Sequence, residues 1–125
     1  MIVLDASVLL ATLLNEPGGE VFPNITDDFA ISAVNLGEVV HKLVERGYSG
    51  EAILAALEPF RGNCPALTAA HAIQAGLWRN VTKRFGLSMG DRCCLALGLE
   101  LGAEVYTADR AWAGLDLGVK VRVIR

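Results

Sequence analysis

The sequence predicts one α/β domain in which a central, mostly parallel β-sheet is flanked by helices. Three observations carry this. The chain has 125 residues, enough for one domain with a buried core. Short apolar runs such as IVL at residues 2–4 recur along it, each bounded by polar or turn-forming residues. Between these runs lie longer segments with helical periodicity, and strands that alternate with helices favour a parallel sheet.

The elements follow in order. Residues 2–4 read as a buried strand, and residues 6–15 as a helix stopped by Pro17, Gly18 and Gly19. Residues 19–28 fit neither pattern. Residues 29–32 are a second strand. Residues 33–46 form a helix with Leu36, Val40, Leu43 and Val44 on one stripe and Gly47 at its end. Residues 51–60 form a shorter helix that stops near Pro59. Residues 64–67 read as a strand weakened by Pro65. Residues 68–84 are helical, with Thr68 as the cap and Gly86 just past the end. Residues 88–101 form the next helix, ended by Gly102. Residues 104–107 and 119–124 are strands around a helical turn at 110–113. No repeat, linker or low-complexity segment interrupts the series.

Composition excludes several classes. No run of about 18 apolar residues occurs, so no membrane-spanning helix is expected. No basic residue precedes the N-terminal apolar run and Asp5 interrupts it, which does not fit a secretory signal. Cys64, Cys93 and Cys94 are odd in number and lack paired spacing. Neither a disulfide framework nor a zinc site is expected, and a reduced, cytoplasmic setting is. The net charge is −3, but all 11 Lys and Arg residues lie beyond His41. That asymmetry suits a polyanion partner, and equally a mixed solvated surface.

Four acids sit at junctions. Asp5 ends the first strand, Glu38 lies on the second turn of the helix after the second strand, Asp91 opens a helix, and Asp109 follows a strand. Each has a local explanation. Asp5 can cap the first helix. Ser88 and Asp91 can form a capping-box variant. Asp109 can cap the next turn. Glu38 can pair with Lys42 one turn on, opposite the apolar stripe. As a set they imply more, because ligands of open parallel sheets gather beyond the carboxyl ends of the strands. Carboxylates collected on one rim repel one another and resist desolvation. An oxygen-only donor set suits Mg²⁺ or Mn²⁺, which can activate water and neutralise charge on a phosphodiester.

The segments IVLDASVLLATLLNEPG, ISAVNLGEVVHKLVERG, LSMGDRCCLALGLELGA and VYTADRAW, in that order over nearly the whole chain, carry a resemblance. The sequence resembles the PIN-domain ribonucleases, most closely the VapC-type toxins of toxin–antitoxin pairs. The family's acids match Asp5, Glu38 (in N-L-x-E-V), Asp91 (in L-S-x-G-D) and Asp109 (in T-x-D). Ser7 and Thr107 resemble polar positions that line the family's site. Residues 18–28 match poorly. The resemblance implies a PIN-like fold over residues 1–125 and RNA cleavage dependent on Mg²⁺ or Mn²⁺. It also implies a homodimer, a VapB-type antitoxin as partner, and a larger assembly formed with it.

Other residues invite other readings. A catalytically silent RNA-binding or assembly module would keep the fold without turnover. A phosphoryl-transfer enzyme with an aspartyl nucleophile would also collect acids at strand ends. The phosphatase type wants a second aspartate two residues after Asp5, where Ser7 stands, and the receiver type wants adjacent acids and a late lysine that are not evident. His41 and His71 lack metal-ligand spacing and read as surface or satisfied histidines. Cys93 and Cys94 read as core; Trp78 and Trp112 could stack on bases, with core or interface packing favoured for Trp78. No serine sits in a nucleophile elbow and no glycine-rich phosphate loop is present. Arg92 and Arg110 follow site acids and suit either phosphate contact or pairing with those acids. The chain is 53% apolar before its 13 glycines are counted, above the roughly 45–50% average that includes glycine. Apolar helical surfaces at residues 8–14 and 52–57 are therefore expected to meet partners.

Overall fold

The structure, a computed structural model, describes residues 1–24 and 28–125. Its strands are β1 (Ile2–Leu4), β2 (Phe29–Ile31), β3 (Glu104–Thr107) and β4 (Val121–Val123). They form an all-parallel sheet in the order β2-β1-β3-β4. The two-residue period of a strand divides their side chains between two cores. Leu4, Phe29, Ile31 and Tyr106 point to one face, and Val3, Ala30 and Val105 to the other. The first face is covered by α1 (Ala6–Leu13), α2 (Ala33–Glu45) and α3 (Gly50–Leu57). The second is covered by α5 (Met89–Leu101), with α4 (Ala69–Leu77) packed against it. Burial on both faces is why these strands read as apolar runs rather than alternating ones.

The strand order sets the functional geometry. From β1 the chain crosses to β2 on one side and later returns past β1 to β3 on the other. The connections leaving β1 and β3 therefore diverge at their carboxyl ends, which opens a crevice there.

Several boundaries differ from expectation. The helix predicted over 6–15 stops at Leu13, and Asn15 takes a left-handed conformation at φ +55°. The segment 51–60 splits at Pro59, which cannot donate to a continuing helix; α3 ends at Leu57 and a tight 3₁₀ turn runs over Glu58–Asn63. The expected strand at 64–67 does not form. Pro65 lacks a donor, and the Asn63 side chain donates to Phe29 O (3.0 Å) on the edge strand β2. The helix predicted over 68–84 ends at Leu77, where turns and a 3₁₀ segment at Lys83–Phe85 take over. The last strand shortens to Val121–Val123. Gly19–Asn24 is a 3₁₀ segment, and residues 25–27 of the ambiguous stretch lie outside the described residues.

The apolar surfaces also differ. On α2 the buried stripe is Asn35, Val39 and Leu43; Leu36 and Val40 flank it, and Val44 is exposed. Val8, Leu9 and Ala11 of α1 are buried because that crossover helix packs on the sheet, while Leu10, Leu13 and Leu14 stay partly exposed. On α3, Ile53 and Leu57 are buried and Leu54 is outside. Exposed apolar side chains recur at Ile73, Leu77 and Val81, on α4 and just beyond it. No described helix is long and apolar enough to cross a membrane.

Candidate active site

Asp5 leaves the end of β1 and is 5% exposed. Its carboxylate makes no helix-capping bond to α1, contrary to the local explanation. Instead Oδ2 accepts from Ser7 Oγ (2.6 Å) and from Thr107 Oγ1 (3.1 Å) at the end of β3. The backbone fixes both hydroxyls. Ala108 N donates to Ser7 Oγ (2.9 Å), and Asp109 N donates to Thr107 Oγ1 (3.1 Å). Each hydroxyl has one proton, and with an amide on its oxygen that proton is directed to Asp5. The two polar neighbours suggested by the resemblance are thus the support of the first acid.

Asp91 and Asp109 do perform their local duties. Asp91 closes a capping box on α5, accepting from Ser88 N (2.9 Å) and donating its own amide to Ser88 Oγ (3.1 Å). The Asp109 side chain accepts from Ala111 N (2.9 Å), which starts the 3₁₀ turn at Arg110–Gly114. Glu38 does not pair with Lys42, which lies 3.6 Å from Glu45 instead. Asn35 Nδ2 donates to Glu38 Oε1 (3.3 Å), drawing that carboxylate toward α5. Capping and function coexist, because a helix N-terminus that needs an acceptor also stabilises an acid facing the crevice.

The four acids predicted from sequence come together. Asp5, Glu38, Asp91 and Asp109 line one open cleft of about 750 Å³, with Ser7, His41 and Lys42. A second cleft of about 700 Å³ between residues 80–85 and 114–117 carries a single acid, Asp116, so chemistry rather than size singles out the first. Burial raises the Asp5 carboxyl to about 6, and the Asp91 charge adds to the rise against the Ser7 and Thr107 hydrogen bonds. Burial also raises Glu38, followed by the charges of Asp5 and Asp91. Asp91 is raised by burial and by Asp109, against the pull of its Ser88 hydrogen bonds. The acids therefore feel one another, and the cleft is unfavourable to its own negative charge.

The donor set is oxygen only, which fits a hard divalent cation. Among the described residues, no three His, Cys, Asp or Glu side chains converge into a ready-made cage.

Of the remaining candidates, Arg92 turns inward. It is 6% exposed and donates to Ala75 O (2.9 Å) and Ser88 O (3.2 Å), tying α4 to α5, so it is not free to meet phosphate. Arg110 is exposed and donates to Arg125 O (3.1 Å). His71 is buried, closes the α4 capping box and meets Glu100 at 2.8 Å. Trp78, Trp112, Cys93 and Cys94 are buried, and burial pushes the Cys94 thiol up, away from thiolate chemistry. His41, read as a surface histidine, is exposed as expected but lines the acid cleft. Asn35 and Gly90 were not singled out by sequence. Asn35 looks like any polar residue early in a helix, and Gly90 looks like a helix-start glycine.

The PIN domain model matches residues 2–116. No curated protein is similar enough in sequence to count as a relative. Solved structures share the fold at low identity. A toxin–antitoxin complex from Klebsiella pneumoniae has a TM-score of 0.76 at 18% identity, covering 100% of this chain and 98% of that one. VapC20 of Mycobacterium tuberculosis, a Sarcin-Ricin loop cleaving toxin, has a TM-score of 0.76 at 19% identity over 96% and 99% of the chains. DNA-bound VapBC from Salmonella typhimurium has a TM-score of 0.74 at 21% identity over 99% and 98%.

Proposed function

Because the chain belongs to the PIN-domain family, we propose that it is a metal-dependent endoribonuclease, the toxin of a type II toxin–antitoxin pair. One observation carries the reading: four carboxylates line a single cleft at the point where β1 and β3 diverge, and burial and neighbouring charge raise three of them, Asp5, Glu38 and Asp91. Asp5, Glu38, Asp91 and Asp109 would hold Mg²⁺ or Mn²⁺. When bound, such an ion supplies a more acidic water and offsets charge developing on the phosphodiester.

The rest of the work falls to the chain's own groups. Ser7 and Thr107 hold Asp5 in one orientation, so its carboxylate needs no reorganisation during the reaction. An aspartyl-phosphate route is disfavoured by Ser7, which stands where the phosphatase type wants a second aspartate. Lys42 at the cleft wall, 3.6 Å from Glu45, gives RNA phosphates a cation beside the acids.

Solved structures with this fold include complexes with antitoxins, which supports a VapB-type partner for this chain; a cytoplasmic setting is part of the reading. A homodimer is part of the reading, and the exposed Ile73, Leu77 and Val81 give it a surface. Light scattering at micromolar concentration tests the dimer; a monomer that cleaves RNA would remove it from the reading. The central test is digestion of total cellular RNA with Mg²⁺, Mn²⁺ or chelator, mapping the cut ends, with Asp5→Asn as control. Metal-dependent cuts lost in that variant support the proposal. Intact RNA under all conditions leaves a silent module.

A further inference from the structure

We propose that Asn35 and Gly90 form a cradle that fixes the Glu38 carboxylate beside Asp91, making Asn35 a positioning residue for the metal-dependent site. The proposal rests on the reading of the acid cleft given above. It concerns a residue pair that the four-acid pattern does not include.

Asn35 is fully buried on α2. Its two amide protons go to two acceptors: Glu38 Oε1 on the same helix (3.3 Å) and Gly90 O on α5 (3.2 Å). Its Oδ1 has no partner among the described residues. The reversed amide would point Oδ1 at a carboxylate and a carbonyl, setting acceptors against acceptors, so the two contacts themselves decide the orientation. A buried acceptor left unpaired is costly and uncommon, and here the cost accompanies a donor pair that joins two helices at the cleft.

Gly90 explains the other half. It is buried in the first turn of α5, immediately before Asp91. A Cβ at this position would overlap Glu38 Oε1 and stand 2.9 Å from Glu38 Cδ; its three nearest atoms would all belong to the Glu38 carboxyl group. Gly90 is not among the glycines with positive φ, so its backbone does not demand glycine. Within a helix glycine is less favourable than alanine. The Glu38 carboxyl atoms end a flexible side chain, so a methyl here would displace the Glu38 carboxylate rather than the backbone, and the room that carboxylate occupies is the remaining reason for the glycine. Glu38 is a long side chain, half-buried and on the same helix as Lys42. Hydrogen bonding from one side and a fitted hollow on the other hold it toward the acids rather than toward solvent.

The test uses the full chain, with Mn²⁺ binding by calorimetry and thermal unfolding in chelator as separate readouts. Gly90→Ala and Asn35→Ala are each expected to weaken Mn²⁺ binding about 10-fold or more, the usual effect of losing a group that orients a ligand. In a Glu38→Ala background, Gly90→Ala should change Mn²⁺ binding no further. In chelator, Gly90→Ala should lower the melting temperature relative to its effect in the Glu38→Ala background, where the added methyl has room and favours the helix. Mn²⁺ affinities within twofold of wild type for both single variants, or an equal Gly90→Ala melting shift in both backgrounds, would overturn the proposal. If Asn35→Ala does not fold, the Gly90 pair decides alone. If wild type binds no Mn²⁺, the metal reading fails, and the melting comparison still decides the cradle.

Discussion

Replacing Asp5 by Asn in the metal-free protein should produce a stability difference that grows with pH. The Asp5 carboxyl is raised from 3.8 to about 6, chiefly by burial. Its folded value exceeds its unfolded value, so the folded state binds more protons between the two. The contribution to stability is fully present below about 4 and is lost as pH rises through about 6. Each unit corresponds to about 1.4 kcal/mol, so ionised Asp5 costs the metal-free fold about 3 kcal/mol at neutral pH, of which about 2 to 3 kcal/mol develops between pH 4 and pH 8. Asn does not titrate. It can still accept from Ser7 and Thr107, while its buried amino group needs an acceptor, at a cost of about 1–3 kcal/mol. That penalty does not depend on pH and cancels when the two proteins are compared across the range. The assay is urea unfolding in chelator at pH 4 to 8. The expected result is that Asp5→Asn gains about 2 to 3 kcal/mol on wild type from the acid to the alkaline end, and that Mg²⁺ stabilises wild type but not the variant at pH 8. A flat difference would mean that Asp5 ionises like an ordinary surface acid, and the argument from burial and charge would fall.

Asp91→Asn keeps a side-chain acceptor for Ser88 N, so its melting temperature should stay close to wild type while RNA cleavage falls by about 10² or more, on the scale of losing an electrostatic stabiliser; near-normal cleavage would take Asp91 out of the site. Thr107→Val removes the donor to Asp5 and the acceptor for Asp109 N, and should cost about 1–3 kcal/mol in urea unfolding and also reduce cleavage. Arg92→Met should destabilise by a similar amount, about 1–3 kcal/mol, by orphaning the Ala75 carbonyl. Its cleavage per folded molecule at low temperature should match wild type, and a loss of RNA affinity instead would restore Arg92 as a phosphate contact.

Much of this protein is written locally. Ile2–Leu4, Phe29–Ile31 and Glu104–Thr107 are legible because a strand buried on both faces must be apolar along its length, and turn-forming residues bound it. The helix starts at Thr68 and Ser88 are legible because a few adjacent residues decide a cap. Asp5, Asp91 and Asp109 could be singled out for the same reason: each occupies a junction that its neighbours define. What sequence could not tell was whether those acids served only their own junctions. Asp91 does cap α5 and Asp5 does not cap α1, yet both face one cleft, because the order β2-β1-β3-β4 brings ends 100 residues apart into contact through Ser7 and Thr107.

Where a residue's role depends on a distant partner, local pattern misleads or is silent. Arg92 follows an acid and reads as a phosphate contact until the packing of α4 on α5 turns it inward to Ala75. Val8, Leu9 and Ala11 of α1 read as part of a partner surface until the crossover from β1 lays them on the sheet. Pro65 weakens the strand reading at 64–67, but it is Asn63 reaching Phe29 that occupies the sheet edge. Asn35 and Gly90 have no signature at all, since their meaning lies in a hydrogen bond that spans 55 residues and in a hollow shaped by a side chain from another helix. Sequence alone determined the alternating elements and the four acids, because hydrophobic period, caps and junctions act over a few residues. Only the tertiary structure decided which acids are buried, which cations are free and what holds Glu38, because desolvation and hydrogen-bond partners come from segments that meet only when the sheet is assembled.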